Sequence, residues 1–190
     1  MTRLTRLCRA VGVGLAVATA TLGMTQMASA APAPPTAPAS LAPPAGNEAF
    51  LVGHAKGVQI YTCDGVKWGP STPRADLVDD TGKLIVKHSG GPRWTAVADR
   101  STVTATPIAR DPDGVLPADL KDIQQLLLKV PTDGATGGGL LGATTFIQRL
   151  NTQGGTQPPV TECKAQTAGK VKEVPYKADY VFFKATAKPA

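Results

Sequence analysis

Clusters of glycine, proline and aspartate interrupt this chain roughly every 8–12 residues from Gly46 onward, and this punctuation limits the length of any regular element. Between the clusters lie short runs rich in β-branched and aromatic residues, which are typical of strands. The run Val58–Cys63 shows the two-residue alternation of a half-buried strand. The spacing therefore predicts an all-β fold, either an antiparallel β-sandwich or a barrel-like single domain, with at most one short helix.

Each β-prone run between two clusters is predicted to be a strand. The predicted strands are Phe50–His54, Val58–Cys63, Val66–Trp68, Ala75–Val78, Leu84–His88, Trp94–Val97, Thr102–Thr106, Leu126–Val130, Thr144–Leu150 and Val174–Lys184. The sequence Asp79-Asp80-Thr81-Gly82 predicts a hairpin turn in which the glycine takes a positive φ. Pro175 predicts that the last strand begins there or lies at a sheet edge, because proline cannot donate to a strand ladder.

One segment favours a helix instead of a strand. Pro117 suits the first turn of a helix, and Leu120, Ile123 and Leu127 would share one helical face. The overlapping run Leu126–Val130 is equally consistent with a buried strand. We therefore expect a helical turn that leads into a strand.

Residues 1–30 have the three parts of a secretory signal peptide. Three arginines and no acidic residue precede the apolar run Ala10–Leu22, and Ala28-Ser29-Ala30 supplies the cleavage pattern. A membrane anchor is the alternative, but polar residues interrupt the apolar run before the roughly 20 residues that a span requires. We predict cleavage after Ala30 and secretion to the extracellular space.

The mature chain is predicted to hold an Ala/Pro-rich linker over residues 31–45 and a single β domain over residues 46–188. The prolines of the linker favour an extended conformation over packing. Loss of the three signal-peptide arginines lowers the formal net charge from +6 to +3. No later stretch is long and apolar enough to form a transmembrane segment, and the basic residues are too dispersed to predict a nucleic-acid partner.

Lysines are concentrated in the last part of the chain, after Cys163. They are Lys164, Lys170, Lys172, Lys177, Lys184 and Lys188, against the acidic Glu173 and Asp179. This excess of positive charge is consistent with an anionic cell-surface polymer or glycan as partner, whereas a solvated surface is the simpler interpretation.

Two cysteines, Cys63 and Cys163, follow the predicted cleavage site. An even number of cysteines in an exported chain favours a disulfide, with two unpaired buried thiols as the alternative. If they are paired, the long loop that they close makes the bond a large part of the stability of the domain. Neither cysteine has the spacing of a metal site.

The candidate functional residues include both histidines, His54 and His88. Together with an aspartate they are candidate metal ligands. His88 beside Ser89 is also a candidate for hydrolysis. A hydrogen-bonded structural role is the simpler interpretation of each histidine.

The run Gly137–Gly142 matches the dinucleotide-binding fingerprint, but loop residues follow Leu150 where a βαβ unit needs a second parallel strand. We therefore expect no cofactor and no metal.

The remaining candidates are Trp94, Tyr176, Arg149 and Asn151. The two aromatic residues suit either a ligand-binding face or a core. Arg149 is predicted to tie the following loop to backbone carbonyls or to Asp179 through its planar fork, with an anionic ligand as the alternative.

Four motifs combine the candidate residues with nearby glycines and prolines. They are Gly53-His54-Ala55-x-Gly57-Val58-Gln59-Ile60-Tyr61-Thr62-Cys63, His88-x-Gly90-Gly91-Pro92-x-Trp94, Ile147-Gln148-Arg149-Leu150-Asn151-Thr152-x-Gly154-Gly155 and Val174-Pro175-Tyr176-x-Ala178-Asp179-Tyr180. In this order they resemble the motifs of DUF3455, a family of secreted bacterial and fungal proteins of unknown function. The resemblance implies secretion, one β-rich domain and a Cys63–Cys163 disulfide. It implies no catalytic residue, and this chain has Gln124-Gln125 where the family has Pro-Trp.

Two functions are consistent with these features. The first is a non-enzymatic extracellular or envelope-associated module for binding or structure, because glycines, prolines and aromatic residues dominate the motifs. The alternative is a secreted hydrolase or a metal-dependent enzyme that uses His54 or His88. The positions of the two imidazoles, together or apart, distinguish the two functions.

Overall fold

A computed structural model describes residues 33–111 and 121–186 of the chain. The described residues form ten strands and three single 3-10 turns, and 54% of the structure is strand. The strands are β1 (Asn47–Thr62), β2 (Thr72–Val78), β3 (Leu84–Ser89), β4 (Arg93–Ala96), β5 (Thr102–Thr104), β6 (Thr106–Asp111), β7 (Gln125–Lys129), β8 (Ala135–Thr136), β9 (Thr144–Gly154) and β10 (Val171–Ala185). The turns are Ala39–Leu41, Val160–Glu162 and Ala165–Thr167.

All ten strands belong to one antiparallel sheet in the order β6-β7-β9-β10-β1-β2-β3-β4-β5-β8. The sheet is strongly curled. Trp94 of β4 and Tyr180 of β10 are four strands apart, or about 19 Å across a flat sheet, yet their ring centroids are 5.6 Å apart. Ala105 alone separates β5 from β6, although these strands lie near opposite ends of the order. The prediction of an all-β, barrel-like domain is confirmed.

Most predicted strands are confirmed, and the differences have local causes. The first two predicted strands are one long strand, β1, while the run Thr102–Thr106 is divided between β5 and β6. Val66–Trp68 is not a strand and makes only an isolated bridge between Trp68 and Cys63. The Asp79–Gly82 turn is confirmed: Gly82 has a φ of 82°, and its N–H donates to the Asp79 carbonyl at 2.8 Å.

The predicted helical turn is not present over residues 121–127, and residues 117–120 lie outside the described residues. Asp122 bridges to Gly155, and the strand β7 begins at Gln125. Pairing of β7 with β9 buries Leu126, Leu127 and Leu128, so strand pairing prevails over the helical pattern.

The concave, inner face of the sheet carries the main core. Trp94, Tyr180 and Phe182 are its largest fully buried side chains. Gly53, Ala55 and Gly57 of β1 point inward beside these rings, opposite Tyr180, Ala178 and Tyr176 of β10. The small inward residues of the Gly53–Gly57 motif therefore leave room for large aromatic neighbours.

Gly57 is expected to be the least replaceable of these small residues. A Cβ at Gly57 would lie 2.1 Å from the Arg74 carbonyl oxygen and 2.5 Å from the Ala75 Cα, whereas at Gly53 it would lie 3.1 Å from the Leu77 side chain. Backbone atoms cannot yield as a side chain can, so Gly57→Ala should destabilise the fold by about 2–3 kcal/mol. Urea unfolding of Gly57→Ala beside Gly53→Ala measures this effect. Equal losses of stability would contradict it.

The outer face carries a second core, which is covered by the segment before β1. Leu41 is fully buried there with Val52, Val181 and Phe183. The Gln148 side chain donates to the Leu41 carbonyl at 2.7 Å. This packing differs from the linker predicted over residues 31–45, because the one leucine among the prolines finds an apolar site on the sheet.

Pro175 lies inside β10 rather than at its start. The strand begins at Val171 and lies between β1 and β9, but its pairing with β9 begins only at Tyr176. Pro175 therefore pairs with Val58 on one side and has no strand neighbour on the other. The predicted edge position is correct only in this local sense.

The predicted signal peptide, residues 1–30, lies outside the described residues. Within the described residues, no helix is long and apolar enough to cross a membrane.

Candidate functional site

A cavity of about 350 Å³ lies where the curled sheet fails to close, and we call it the seam cavity. One wall comes from the β1–β2 loop and from β2, β3 and β4; the other comes from β6 and β7. Arg149 of β9 and Tyr180 of β10 complete the lining. The other lining residues are Pro70, Ser71, Pro73, His88, Pro92, Trp94, Pro107, Arg110, Leu126 and Leu128. Residues from both ends of the sheet order therefore meet around one space.

Stacked rings form the aromatic side of the seam cavity. His88 lies parallel to Trp94, with ring centroids 4.2 Å apart and an interplanar angle of 5°. Tyr180 meets both rings edge-on. The His88 ring donates through Nδ1 to the Arg93 carbonyl at 3.0 Å, and burial lowers its pKa from 6.5 to about 4. His88 is therefore neutral at pH 7 and serves as a flat, buried part of the wall.

Arg149 supplies one of the two positive charges of the seam cavity, and Arg110 supplies the other. Its Nε and Nη2 donate to the Gln124 carbonyl oxygen at 3.1 and 2.8 Å, so the planar fork holds a backbone carbonyl. Its predicted alternative partner, Asp179, is bound by Asn151 instead. Among the described residues, no carboxylate lies within 4.0 Å of the guanidinium. The charge of Arg149 is thus held by a neutral carbonyl.

The fork makes Arg149 sensitive to a conservative change. Arg149→Lys replaces two parallel donors with one ammonium, which cannot reproduce the geometry. We expect a loss of about 1–2 kcal/mol of unfolding free energy, with Arg110→Lys as a matched exposed control that changes stability little. Thermal unfolding measures both. An unchanged melting temperature for Arg149→Lys would contradict the structural role.

Trp94, one of the residues that line the seam cavity, has a donor without a partner. The indole N–H of Trp94 is buried and unpaired, as is the side-chain amide nitrogen of Gln59 elsewhere in the core. A buried unpaired donor costs about 1–3 kcal/mol. Trp94 is only 1% exposed, so bulk water does not compensate for this cost.

Two further buried hydroxyls lie near Arg149. Desolvation raises the pKa of both Tyr176 and Tyr180, and the Arg149 charge opposes the rise at each. The two hydroxyl oxygens lie 3.4 Å apart. The predicted candidate Tyr176 is 2% exposed, so it belongs to the core beside the seam cavity rather than to an open aromatic face.

His54 lies on the other face of the sheet, in a separate polar cluster. Its Nδ1 contacts Asp179 at 2.7 Å and its Nε2 contacts Asp80 at 2.8 Å. Hydrogen bonds to Asp80 and then to Asp179 raise the pKa of His54 above 6.5. Asn151 donates to the second oxygen of Asp179 at 2.7 Å. Asn151 lies where the pairing of β9 with β10 is irregular, and its φ of 50° is a conformation that asparagine tolerates.

The two histidines therefore do not share a site. His54 pairs across strands with Asp179 on the outer face, whereas His88 stacks with Trp94 on the inner face. Both ring nitrogens of His54 are occupied by aspartates. In residues 33–111 and 121–186, no group of three or more His, Cys, Asp or Glu side chains is arranged to hold a metal ion.

Cys63 and Cys163 form the predicted disulfide. The bond packs with Tyr61 and Trp68 at the end of β1, and the Trp68 indole donates to the Pro159 carbonyl at 3.1 Å. The disulfide thereby fixes the segment between β9 and β10 against one end of the curled sheet.

The glycine run Gly137–Gly142 is a turn, and the strand β9 follows it at Thr144. The Leu140 N–H donates to Asp99 at 2.6 Å, and the Leu141 N–H donates to Ser101 at 3.0 Å. Backbone donors that a dinucleotide site would present to phosphate are thus bound by side chains of the protein.

Sequence reasoning misses Arg110 and the four prolines of the seam cavity. The prolines are Pro70, Pro73, Pro92 and Pro107. In the sequence these prolines indicate only the ends of strands. No local pattern shows that prolines so far apart in the sequence line the same cavity. Arg110 carries no signal of its own, because it matches no motif of known chemistry.

The curled sheet, its internal aromatic cluster and the seam cavity define a barrel-like, all-β domain with a partly open cavity at its seam. The chain belongs to the family described as Protein of unknown function (DUF3455), whose profile matches residues 44–184. Comparison with the curated proteins and with the solved structures gave no match.

Proposed function

We propose that this chain is a secreted, non-enzymatic binding module that holds a small organic anion in the seam cavity. The observation that carries this proposal is the composition of the lining: two arginines, Arg149 and Arg110, and no acidic residue. A carboxylate or phosphate group would complement the two guanidinium groups, and charge-assisted hydrogen bonds to arginine are strong and directional.

The rest of the lining determines the body of the ligand. Trp94, Tyr180, Leu126 and Leu128 offer apolar and aromatic surface, and the prolines add rigid walls. Binding sites for small molecules in proteins typically combine such apolar walls with a few convergent polar groups. We therefore propose an aromatic or alicyclic acid as the ligand class.

The separation of the histidines supports a binding module over the alternative, a hydrolase or metal-dependent enzyme that uses His54 or His88. His88 is neutral and held by stacking, and both nitrogens of His54 are bound to carboxylates. Catalysis by either imidazole would require these contacts to be broken first.

Export is the second part of this proposal. The signal-like residues 1–30 support it, as does the disulfide, because such bonds persist in oxidising compartments. Sequencing of the exported protein should find Ala31 at its N-terminus. A product that retains Met1 in a membrane fraction would contradict export.

Isothermal titration calorimetry tests the proposed ligand class. The probes are benzoate and phenyl phosphate, with benzyl alcohol as the uncharged control of similar shape. Arg110→Gln should weaken binding of either anion about three- to tenfold. Arg100→Gln removes the same charge outside the seam cavity and should leave binding unchanged. Equal binding of benzyl alcohol and benzoate, or equal losses in the two variants, would contradict the proposal.

A further inference from the structure

A continuous row of polar residues crosses the outer face of the sheet. Backbone pairing places Gln153, Lys177, Lys56, Asp76 and Lys87 side by side on β9, β10, β1, β2 and β3. The row continues through one threonine each from β4, β5 and β8. With strands about 4.8 Å apart, eight neighbours extend over roughly 30 Å of the curved surface. We call this set the polar row.

Two like charges face each other at the centre of the polar row, and one acidic residue stands opposite one of them. Lys56 and Lys177 stand directly opposite each other on the central strands β1 and β10, and both are exposed. Like charges at directly opposed positions destabilise a sheet. Among the described residues, neither lysine has a carboxylate within 4.0 Å. Asp76, the one acid of the polar row, lies 3.6 Å from Lys87 instead.

The surroundings of the two lysines are open and hold more basic than acidic side chains. Grooves of about 510 and 530 Å³ lie on either side of the pair: Lys177 lines the first with Gln153 and Asp179, and Lys56 lines the second with Arg74, Asp76 and Lys87. Arg74 is bound to Glu173 at 2.7 Å, so the unpaired charge is concentrated at Lys56 and Lys177. No described element covers this part of the sheet, in contrast to the apolar outer patch beneath Leu41.

We propose that the polar row binds an acidic polysaccharide, laid across the strands, at a site separate from the seam cavity. Two adjacent ammonium groups attract a repeating anion, and the neighbouring hydroxyl and amide side chains suit the hydroxyl groups of a sugar chain. The large apolar side chains exposed in the described residues are all aliphatic, and none belongs to the polar row. Base stacking or insertion into a lipid surface would require aromatic or apolar residues there.

Binding to three polymers with one backbone tests this proposal. Immobilised carboxymethyl-dextran and dextran sulfate should both retain the protein, whereas unmodified dextran should not. The polymer that retains the protein more strongly identifies the preferred anion. Lys56→Gln/Lys177→Gln should weaken retention at least about tenfold and lower the salt needed for elution. Because relief of the Lys56–Lys177 repulsion offsets the loss of the cross-strand attraction between Lys56 and Asp76, this variant should unfold at nearly the same temperature as the wild type.

Lys67→Gln/Lys129→Gln is the matched control, since it removes two exposed lysines outside the polar row. It should retain nearly full binding. Equal losses in the two double variants would overturn the proposal, because binding would then follow net charge alone. Retention by unmodified dextran, or tighter binding to phosphatidylglycerol vesicles than to either acidic dextran, would also overturn it.

Discussion

Removal of the Cys63–Cys163 disulfide is expected to destabilise the domain by about 4–5 kcal/mol, a larger loss than that expected for Gly57→Ala or Arg149→Lys. The two cysteines are 100 residues apart, and a cross-link over so long a loop strongly restricts the unfolded chain. Typical domains have net stabilities of about 5–15 kcal/mol, so this loss leaves a marginal fold.

Urea unfolding of the exported protein, with and without a thiol reductant, measures the effect of the disulfide. The double variant Cys63→Ala/Cys163→Ala should lose at least as much, because both sulfurs are buried beside Trp68 and contribute packing as well as the cross-link. The reductant should leave the stability of this variant unchanged. Two reactive thiols in the natively exported protein, or equal stability with and without reductant, would contradict the prediction.

Acid is expected to destabilise the domain through His88. Burial lowers its pKa in the folded state to about 4, against 6.5 when the chain is unfolded. The unfolded state therefore binds a proton first as the pH falls through 6.5, and stability is lost between that pH and about 4. At about pH 4.5 the loss from this group amounts to about 2–3 kcal/mol relative to neutral pH.

His88→Phe separates this effect from the titration of other groups. Phenylalanine keeps a flat ring beside Trp94 but cannot take up a proton. The fall in unfolding free energy between about pH 7 and pH 4.5 should be smaller in this variant by about 2–3 kcal/mol. His54 works in the opposite direction, since its pKa is raised in the folded state, but it is present in both proteins. Parallel pH profiles for the variant and the wild type would contradict the prediction.

Local sequence patterns predict the strands and the face of the sheet on which each side chain lies. On β9, two-residue alternation predicts that Ile147 and Arg149 face one way while Gln148 and Leu150 face the other. Ile147 lies in the inner core and Leu150 in the outer core, as predicted. The disulfide also follows from simple counting, because only two cysteines remain after Ala30.

The site itself depends on contacts between distant residues. His88, Arg110 and Arg149 line one space only because the sheet curls until β6 returns beside β4 and β5. No local pattern specifies this curvature, which results from twist and from the packing of Trp94 on Tyr180 and Phe182. For the same reason, the opposition of Lys56 and Lys177 is not visible without the strand register.

Observation of the Trp94 indole N–H by two-dimensional ¹H–¹⁵N NMR tests the proposed ligand site most directly. The chain contains two tryptophans, and Trp68→Phe assigns the second indole signal. Addition of benzoate should shift the Trp94 signal, because the ligand would place an aromatic ring and a negative charge beside a residue that lines the seam cavity. The Trp68 signal should not move, since Trp68 does not line that cavity and its indole donates to Pro159. A Trp94 signal that stays in place while benzoate binds would contradict a ligand site in the seam cavity.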